Sequence, residues 1–263
     1  MTQPGGLPIA VYDEGQGDPP FVFIHGLACD HTFWQPQADD LKRDHRCLSV
    51  DLRGRGESPA VPPYDTSQQA EDIAHAMVAA SLGPAIIVGH SLGGPTALLL
   101  NDRYPELVLG IVAGDSPYRA HQPGGFGRLA ASIREQGTRD ALRGLVDGFF
   151  VEGTPEAVAD HARQTMLACP PDVAAGMLEN SEPFIDRMAD LLRKADLKPF
   201  MAIWAERPAG DPPWLREVTT FLRQEPIAGA GHFFQLEQPA ITNALLRAFL
   251  DDVARDPRLQ PPS

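Results

Sequence analysis

The sequence predicts an α/β protein built on a mainly parallel sheet with helices on both faces. Three observations carry that expectation. Short apolar runs, among them Phe21-Val22-Phe23-Ile24, Cys47-Leu48-Ser49-Val50, Ile86-Ile87-Val88 and Phe200-Met201-Ala202-Ile203-Trp204, are continuous rather than alternating, as strands covered on both faces are. Helix-length segments separate them, which implies crossover connections and hence parallel neighbours. Polar residues then collect just past the ends of the runs: His25, Asp51, Ser91, Asp115, Glu206 and His232. In such sheets functional groups gather at the carboxyl ends of strands.

Composition narrows the function classes. At 263 residues, one domain with an insertion is the simplest arrangement, and 43% hydrophobic residues argue against overall disorder. A formal charge of −13 argues against a nucleic-acid or anionic-membrane partner, because either needs a basic face. Cys29, Cys47 and Cys169 have no C-x-x-C spacing, so neither a zinc site nor a disulfide framework is expected. The start, Met1 to Gly6, has no basic region followed by an apolar core, and no apolar run approaches membrane-spanning length. The expectation is a cytoplasmic protein acting on a small molecule, without metal or cofactor; its oligomeric state is not legible.

Along the chain, a weak alternation at Ile9 and Val11 precedes the first apolar run. A helical segment covers about Phe33 to Leu41. Thr66 with Gln69 three residues later reads as a capping box, with Ile73, Met77 and Val78 on the inner face of the helix that follows. Val108 to Ala113 is a further strand, ending in Gly114-Asp115-Ser116-Pro117. From about Tyr118 to Ala195 the strand pattern stops, and the segment reads as short amphipathic helices broken at Gly124-Gly125, Gly153-Thr154-Pro155, Pro170-Pro171 and Pro183. Strands resume at Phe200, and a last helix spans about Pro239 to Val253.

The most specific feature is Gly89-His90-Ser91-Leu92-Gly93, placed between the Ile86–Val88 run and a helix. Small residues two before and two after the serine allow a sharp strand-to-helix turn that larger side chains would block. Such a turn exposes the Ser91 hydroxyl and aims the first N–H groups of the helix at whatever binds beside it. A serine hydroxyl is a weak nucleophile at neutral pH and needs a base within hydrogen-bond reach. His232, in a glycine-flanked loop after the last expected strand, is the best candidate.

Four motifs in order carry a family resemblance over nearly the whole chain. His25-Gly26-Leu27, the run Asp51-Leu52-Arg53-Gly54-Arg55-Gly56-Glu57-Ser58, the Ser91 elbow and Gly231-His232-Phe233-Phe234-Gln235-Leu236-Glu237 resemble those of the α/β-hydrolase superfamily. The resemblance implies an α/β-hydrolase fold: a mostly parallel eight-stranded sheet flanked by helices, with a helical cap inserted after the sixth strand. The implied division is a core of residues 1–118 and 196–263 with a cap over 119–195. It also implies an oxyanion hole from the backbone N–H groups of Leu27 and Leu92, and structural roles for His25 and His90. His31 could face the pocket, whereas His45, His75, His121 and His161 read as surface or cap residues. Arg53, Arg55 and Glu57 read as braces of their loop.

The acid of the triad departs from the family pattern. It usually lies after the seventh strand in Gly-x-x-Asp, but here that segment reads Ala205-Glu206-Arg207-Pro208, with proline at the carboxylate position. Glu206 comes two residues early, and Asp211 sits in a proline-rich loop. The family's other solution puts the carboxylate at the end of the sixth strand, and Asp115 fits it. Asp115 is therefore preferred to Glu206. Phe149, Phe150, Met166, Met177, Phe184 and Met188 from the cap, and Trp34, are candidates for an apolar pocket or for packing.

The expected function is cofactor-independent hydrolysis of a small, fairly apolar carboxylic ester or lactone through Ser91, His232 and Asp115. Two alternatives stay open: carbon–carbon bond hydrolysis, perhydrolysis or cofactor-free oxygenation on the same triad, and a small-molecule receptor on a hydrolase scaffold.

Overall fold

Continuous apolar runs can be buried on both faces only if helices cover both, and the arrangement found does this. The computed structural model describes residues 5–119, 124–179 and 185–259. His121, Pro183 and Phe184 lie outside them. Seven strands are described: β1 (Val11–Glu14), β2 (Phe21–Ile24), β3 (Cys47–Val50), β4 (Ala85–His90), β5 (Val108–Gly114), β6 (Phe200–Trp204) and β7 (Arg223–Pro226). They form one sheet in the order β1-β3-β2-β4-β5-β6-β7. Only β1 pairs antiparallel, with β3.

Successive residues of each strand feed opposite cores. Phe21, Phe23, Ile86, Val88 and Ile203 pack with α1 (Gln35–Leu41) and α11 (Pro239–Arg255), through Leu41, Leu246 and Phe249. Val22, Ile24, Ile87 and Ile111 pack on the other face. Their partners include Ile73 and Met77 of α2 (Thr66–Ala79), Leu98 of α3 (Gly93–Arg103) and Leu192 of α8 (Met188–Ala195). Between β5 and β6 the described residues form α4 (Gly125–Gln136), α5 (Thr138–Gly148), α6 (Glu156–Leu167), α7 (Pro171–Gly176) and α8, with no strand among them. After β6 come α9 (Pro212–Val218) and α10 (Phe234–Glu237).

Two expectations need correction. The sheet has seven described strands rather than eight, so the helical insert follows the fifth strand, β5, not a sixth. In the segment before β1, Leu7 N–H donates to Asp72 Oδ1 at 2.7 Å and Ala10 N–H to Ser58 Oγ at 2.8 Å, while the Ala10 carbonyl accepts from Asp51 N–H at 3.0 Å. The cap of α2 is Asp65, one residue before Thr66, and its carboxylate accepts from Gln68 N–H at 3.1 Å. Gln69 turns back to the Tyr64 carbonyl at 2.8 Å, and Val78 faces solvent.

Register aligns the ends of the central strands. Ile24 lies beside Gly89, His90 beside Gly114, and Gly114 beside Ile203. The residues that follow, His25 to Leu27, Ser91, Asp115 and Ala205, therefore emerge at one level on adjacent strands spaced about 4.8 Å apart. The chain runs from β2 outward to β3 and then crosses back to β4, so β2 and β4 flank the point where strand order reverses. A crevice is expected at such a point.

A buried ion pair ties the loop after β3 to α2. Arg53 Nε and Nη2 each reach Asp72 at 2.6 Å, and Arg53 Nη1 donates to the carbonyls of Val61 and Pro63. Both side chains are buried, and removing one would leave the other charged and unpaired. Arg53→Met is expected to lower stability by about 3–5 kcal/mol, read from the denaturant midpoint. Arg53→Met combined with Asp72→Leu should recover part of that loss.

Candidate active site

The elbow forms because its glycines sit where no side chain fits. A Cβ on Gly89 would overlap the Gly93 carbonyl, and one on Gly93 would lie 2.5 Å from the Ile24 carbonyl oxygen. β4 therefore passes directly into α3, and Ser91 between them takes φ 51°. Such left-handed backbone costs a non-glycine residue about 1–3 kcal/mol and persists only where its surroundings enforce it. Here Ser91 N–H donates to the Gly114 carbonyl at 2.8 Å, and Gly94 N–H to the Ser91 carbonyl at 3.0 Å.

Next to it, Asp115 leaves β5 with φ 39° and donates its N–H to the Ile203 carbonyl at 2.7 Å. Its side chain is buried. Oδ2 meets His232 Nδ1 at 2.6 Å, while Oδ1 accepts from Ala209 N–H at 3.0 Å and Ala205 N–H at 3.4 Å. The loop after β6 thus offers backbone donors to Asp115 where the family's usual pattern would offer a carboxylate. Glu206 points elsewhere and accepts from Gly229 N–H at 2.9 Å. Asp211 caps α9 through Trp214 N–H at 3.0 Å. Of the three acids weighed from sequence, Asp115 is the one hydrogen-bonded to His232.

The His232 loop is held from several sides. His232 N–H donates to the Phe149 carbonyl at 3.0 Å, and the His232 carbonyl accepts from His90 Nε2 at 2.8 Å. Glu237, one turn along, accepts from Gly231 N–H and from Thr154 Oγ1, each at 2.9 Å. Ser91, His232, Leu27 and Leu92 line one cavity of about 380 Å³. Among the described residues the N–H groups of Leu27 and Leu92 have no acceptor in the protein. Phe126, Leu129 and Leu145 of the insert, with Met166, Leu178 and Phe233, make most of the wall. No lysine, arginine, aspartate or glutamate lines it among the described residues.

The remaining motif residues are structural. Arg55 donates to the carbonyls of Ala28 at 2.7 Å and Cys29 at 2.9 Å, and to Thr165 in the insert at 3.3 Å, bracing the loop that carries Leu27. Asp51 is buried and accepts from His31 and Tyr12 side chains and from the N–H of Glu57, so His31 is engaged there rather than at the cavity. Trp34, Met177 and Met188 pack in the cores, whereas Phe149 and Met166 reach the cavity. The three cysteines are free and buried.

Against known proteins, a family profile described as "Alpha/beta hydrolase family" matches residues 21–245. The chain belongs to the alpha/beta hydrolase family. This alpha/beta hydrolase is 27% identical over 246 residues to esterase YbfF of Escherichia coli, covering 89% of this chain and 93% of that one. It is 28% identical over 143 residues to 3-oxoadipate enol-lactonase 1 of Acinetobacter baylyi, 54% of each chain. Against several curated relatives the match spans only 41–54% of their length. A thermophilic esterase from Thermogutta terrifontis superposes with a TM-score of 0.84 at 25% identity, over 93% of both chains. No helix among the described residues is long and apolar enough to cross a membrane.

Burial sets the charge state of the two histidines that frame the site. His25 Nδ1–H donates to the Gly26 carbonyl at 2.9 Å, and Nε2 accepts from Leu52 N–H at 3.0 Å, a pattern available only to the neutral ring. Burial pushes His25 down to about 4. It also holds His90 well below the ordinary histidine value, with the nearby His232 acting in the same direction. The unfolded chain then takes up protons first as pH falls. Stability from neutral His25 is complete above its unfolded value of about 6.5 and is lost as pH falls toward about 4. Urea midpoints should therefore decline across this window, and His25→Gln should decline less steeply over it.

Proposed function

We propose that this protein is a serine hydrolase that cleaves small, uncharged and largely apolar carboxylic esters or lactones. The observation that carries the reading is the 2.6 Å contact between Asp115 and His232 at the edge of the cavity that Ser91 lines. Asp115 fixes the tautomer with the proton on Nδ1, which leaves Nε2 as the base. The Ser91 hydroxyl attacks the carbonyl carbon while His232 Nε2 takes its proton. The N–H groups of Leu27 and Leu92 donate to the oxyanion, each such donor being worth about a hundredfold or more in rate. Protonated His232 passes the proton to the leaving oxygen, and water activated by the same imidazole releases the acyl group. The insert is the cap that closes the acyl pocket. Relatives named as esterases and an enol-lactonase support ester or lactone substrates.

Kinetics on nitrophenyl esters test the roles. Ser91→Ala should lose at least about a thousandfold in kcat, and Asp115→Asn roughly 10³–10⁴-fold. Glu206→Gln should stay near wild type; a large loss there with an active Asp115→Asn variant would reverse the assignment of the acid.

The wall makes a second prediction. A substrate carboxylate in this cavity would be buried without a cationic partner, at a cost of several kcal/mol. An ester whose acyl chain ends in a carboxylate should therefore show kcat/KM at least about a hundredfold below its methyl-ended isostere. Equal values for the two would mean that a cation reaches the acyl chain.

A further inference from the structure

Phe149, the residue just after α5 in the insert, meets His232 twice. Its carbonyl accepts the His232 N–H at 3.0 Å, and its ring lies against the imidazole with centroids 4.1 Å apart and planes at 25°. His90 meets the imidazole at a centroid distance of 4.6 Å with the planes tilted by 49°, and Phe233 meets it edge-on at 5.3 Å. Asp115 holds the edge at Nδ1. Four side chains therefore contact the ring, and among the described residues only Phe149 comes from the insert.

Phe149 is itself held in place. Its ring meets Phe233 edge-on at 5.6 Å. The Phe150 carbonyl accepts from Arg207 Nη2 at 2.8 Å, and Arg163 stacks over the Phe150 ring at 4.8 Å. Two residues on, Val151 N–H donates to Thr154 Oγ1, which donates in turn to Glu237 in the turn after His232. The Phe149 ring also lines the cavity, so an acyl chain packed there presses on the same ring that backs the imidazole. Nothing in the proposed chemistry requires the insert to touch the base. A residue that only walled the pocket would have no reason to share both backbone and ring with His232.

We propose that Phe149 is a positioning residue for His232, fixing the imidazole plane from the insert and making the base's alignment depend on how the insert is seated. This rests on the reading of His232 as the base. The ring face also meets the positive charge the imidazole acquires during reaction, an interaction aromatic faces favour. Stacked aromatic pairs contribute enough beyond simple burial to change a rate by roughly three- to tenfold.

The test compares wild type, Phe149→Leu and Phe149→Tyr. Leucine keeps the backbone carbonyl and most of the volume but removes the flat face; tyrosine keeps the face. The expected result is a fall in kcat of roughly three- to tenfold for Phe149→Leu with KM within about twofold, and recovery of most of kcat in Phe149→Tyr. A second readout does not depend on turnover: the exchange rate of the His232 Nδ1–H proton shared with Asp115, followed by proton NMR. It should exchange faster in Phe149→Leu and at close to the wild-type rate in Phe149→Tyr. A change in KM alone, with kcat and proton exchange unmoved, would overturn the proposal and leave Phe149 as pocket wall. If wild type turns over no ester, the hydrolase reading fails, while the proton exchange still decides whether Phe149 orders the imidazole.

Discussion

Two adjacent strand ends held in left-handed backbone define the site. Ser91 and Asp115 both depart from favoured dihedrals, and each conformation alone would cost about 1–3 kcal/mol. The parallel ladder enforces both: Ser91 donates to the carbonyl just before Asp115, and Asp115 donates to the neighbouring strand at Ile203. The strained turns are thus extensions of the sheet's own hydrogen bonding, anchored by strands buried on both faces. A shift of register in β4 or β5 would move the serine and the carboxylate relative to each other. The rigidity of the sheet is what converts a glycine-rich turn into a defined chemical geometry.

Around that rigid edge, the imidazole is assembled from parts of the chain that are far apart. Asp115 supplies the charge behind His232, the loop after β6 supplies N–H donors to Asp115, and Glu237 secures the turn next to the histidine. The insert contributes most of the apolar wall and, through Phe149, a ring stacked on the His232 imidazole. Core and insert are also joined at Arg55, which gathers carbonyls from both. The segment that walls the cavity is thereby placed in contact with the loops that carry Leu27 and His232.

Much of this was legible in the sequence because it depends on local pattern. Apolar runs ending in polar residues located the strand ends, and the glycines two before and two after Ser91 pointed to close backbone approach. The loss of the usual carboxylate at Pro208 pointed to Asp115, whose hydrogen bond to His232 the structure contains. Where the reading failed, a neighbouring residue or a long-range partner decided the outcome. Asp65 outcompetes Thr66 as a helix cap because a carboxylate one residue earlier reaches Gln68 N–H. The seven strands of the described residues fall one short of the expected eight, and the N–H groups of Leu7 and Ala10 go to side chains of Asp72 and Ser58 that no local pattern announces. The contact of Phe149 with His232 depends on how a helical insert folds back onto a loop 83 residues further along the chain, and a Phe-Phe pair carries no signal of that.

On this reading Ser91 is a nucleophile activated by His232 and Asp115. Intact-mass and peptide mass spectrometry after exposure to a fluorophosphonate tests it most directly. A single adduct is expected on the peptide containing Ser91, formed much more slowly in His232→Ala and Asp115→Asn. A folded protein that gains no mass, or one labelled equally fast when His232 is removed, would contradict it.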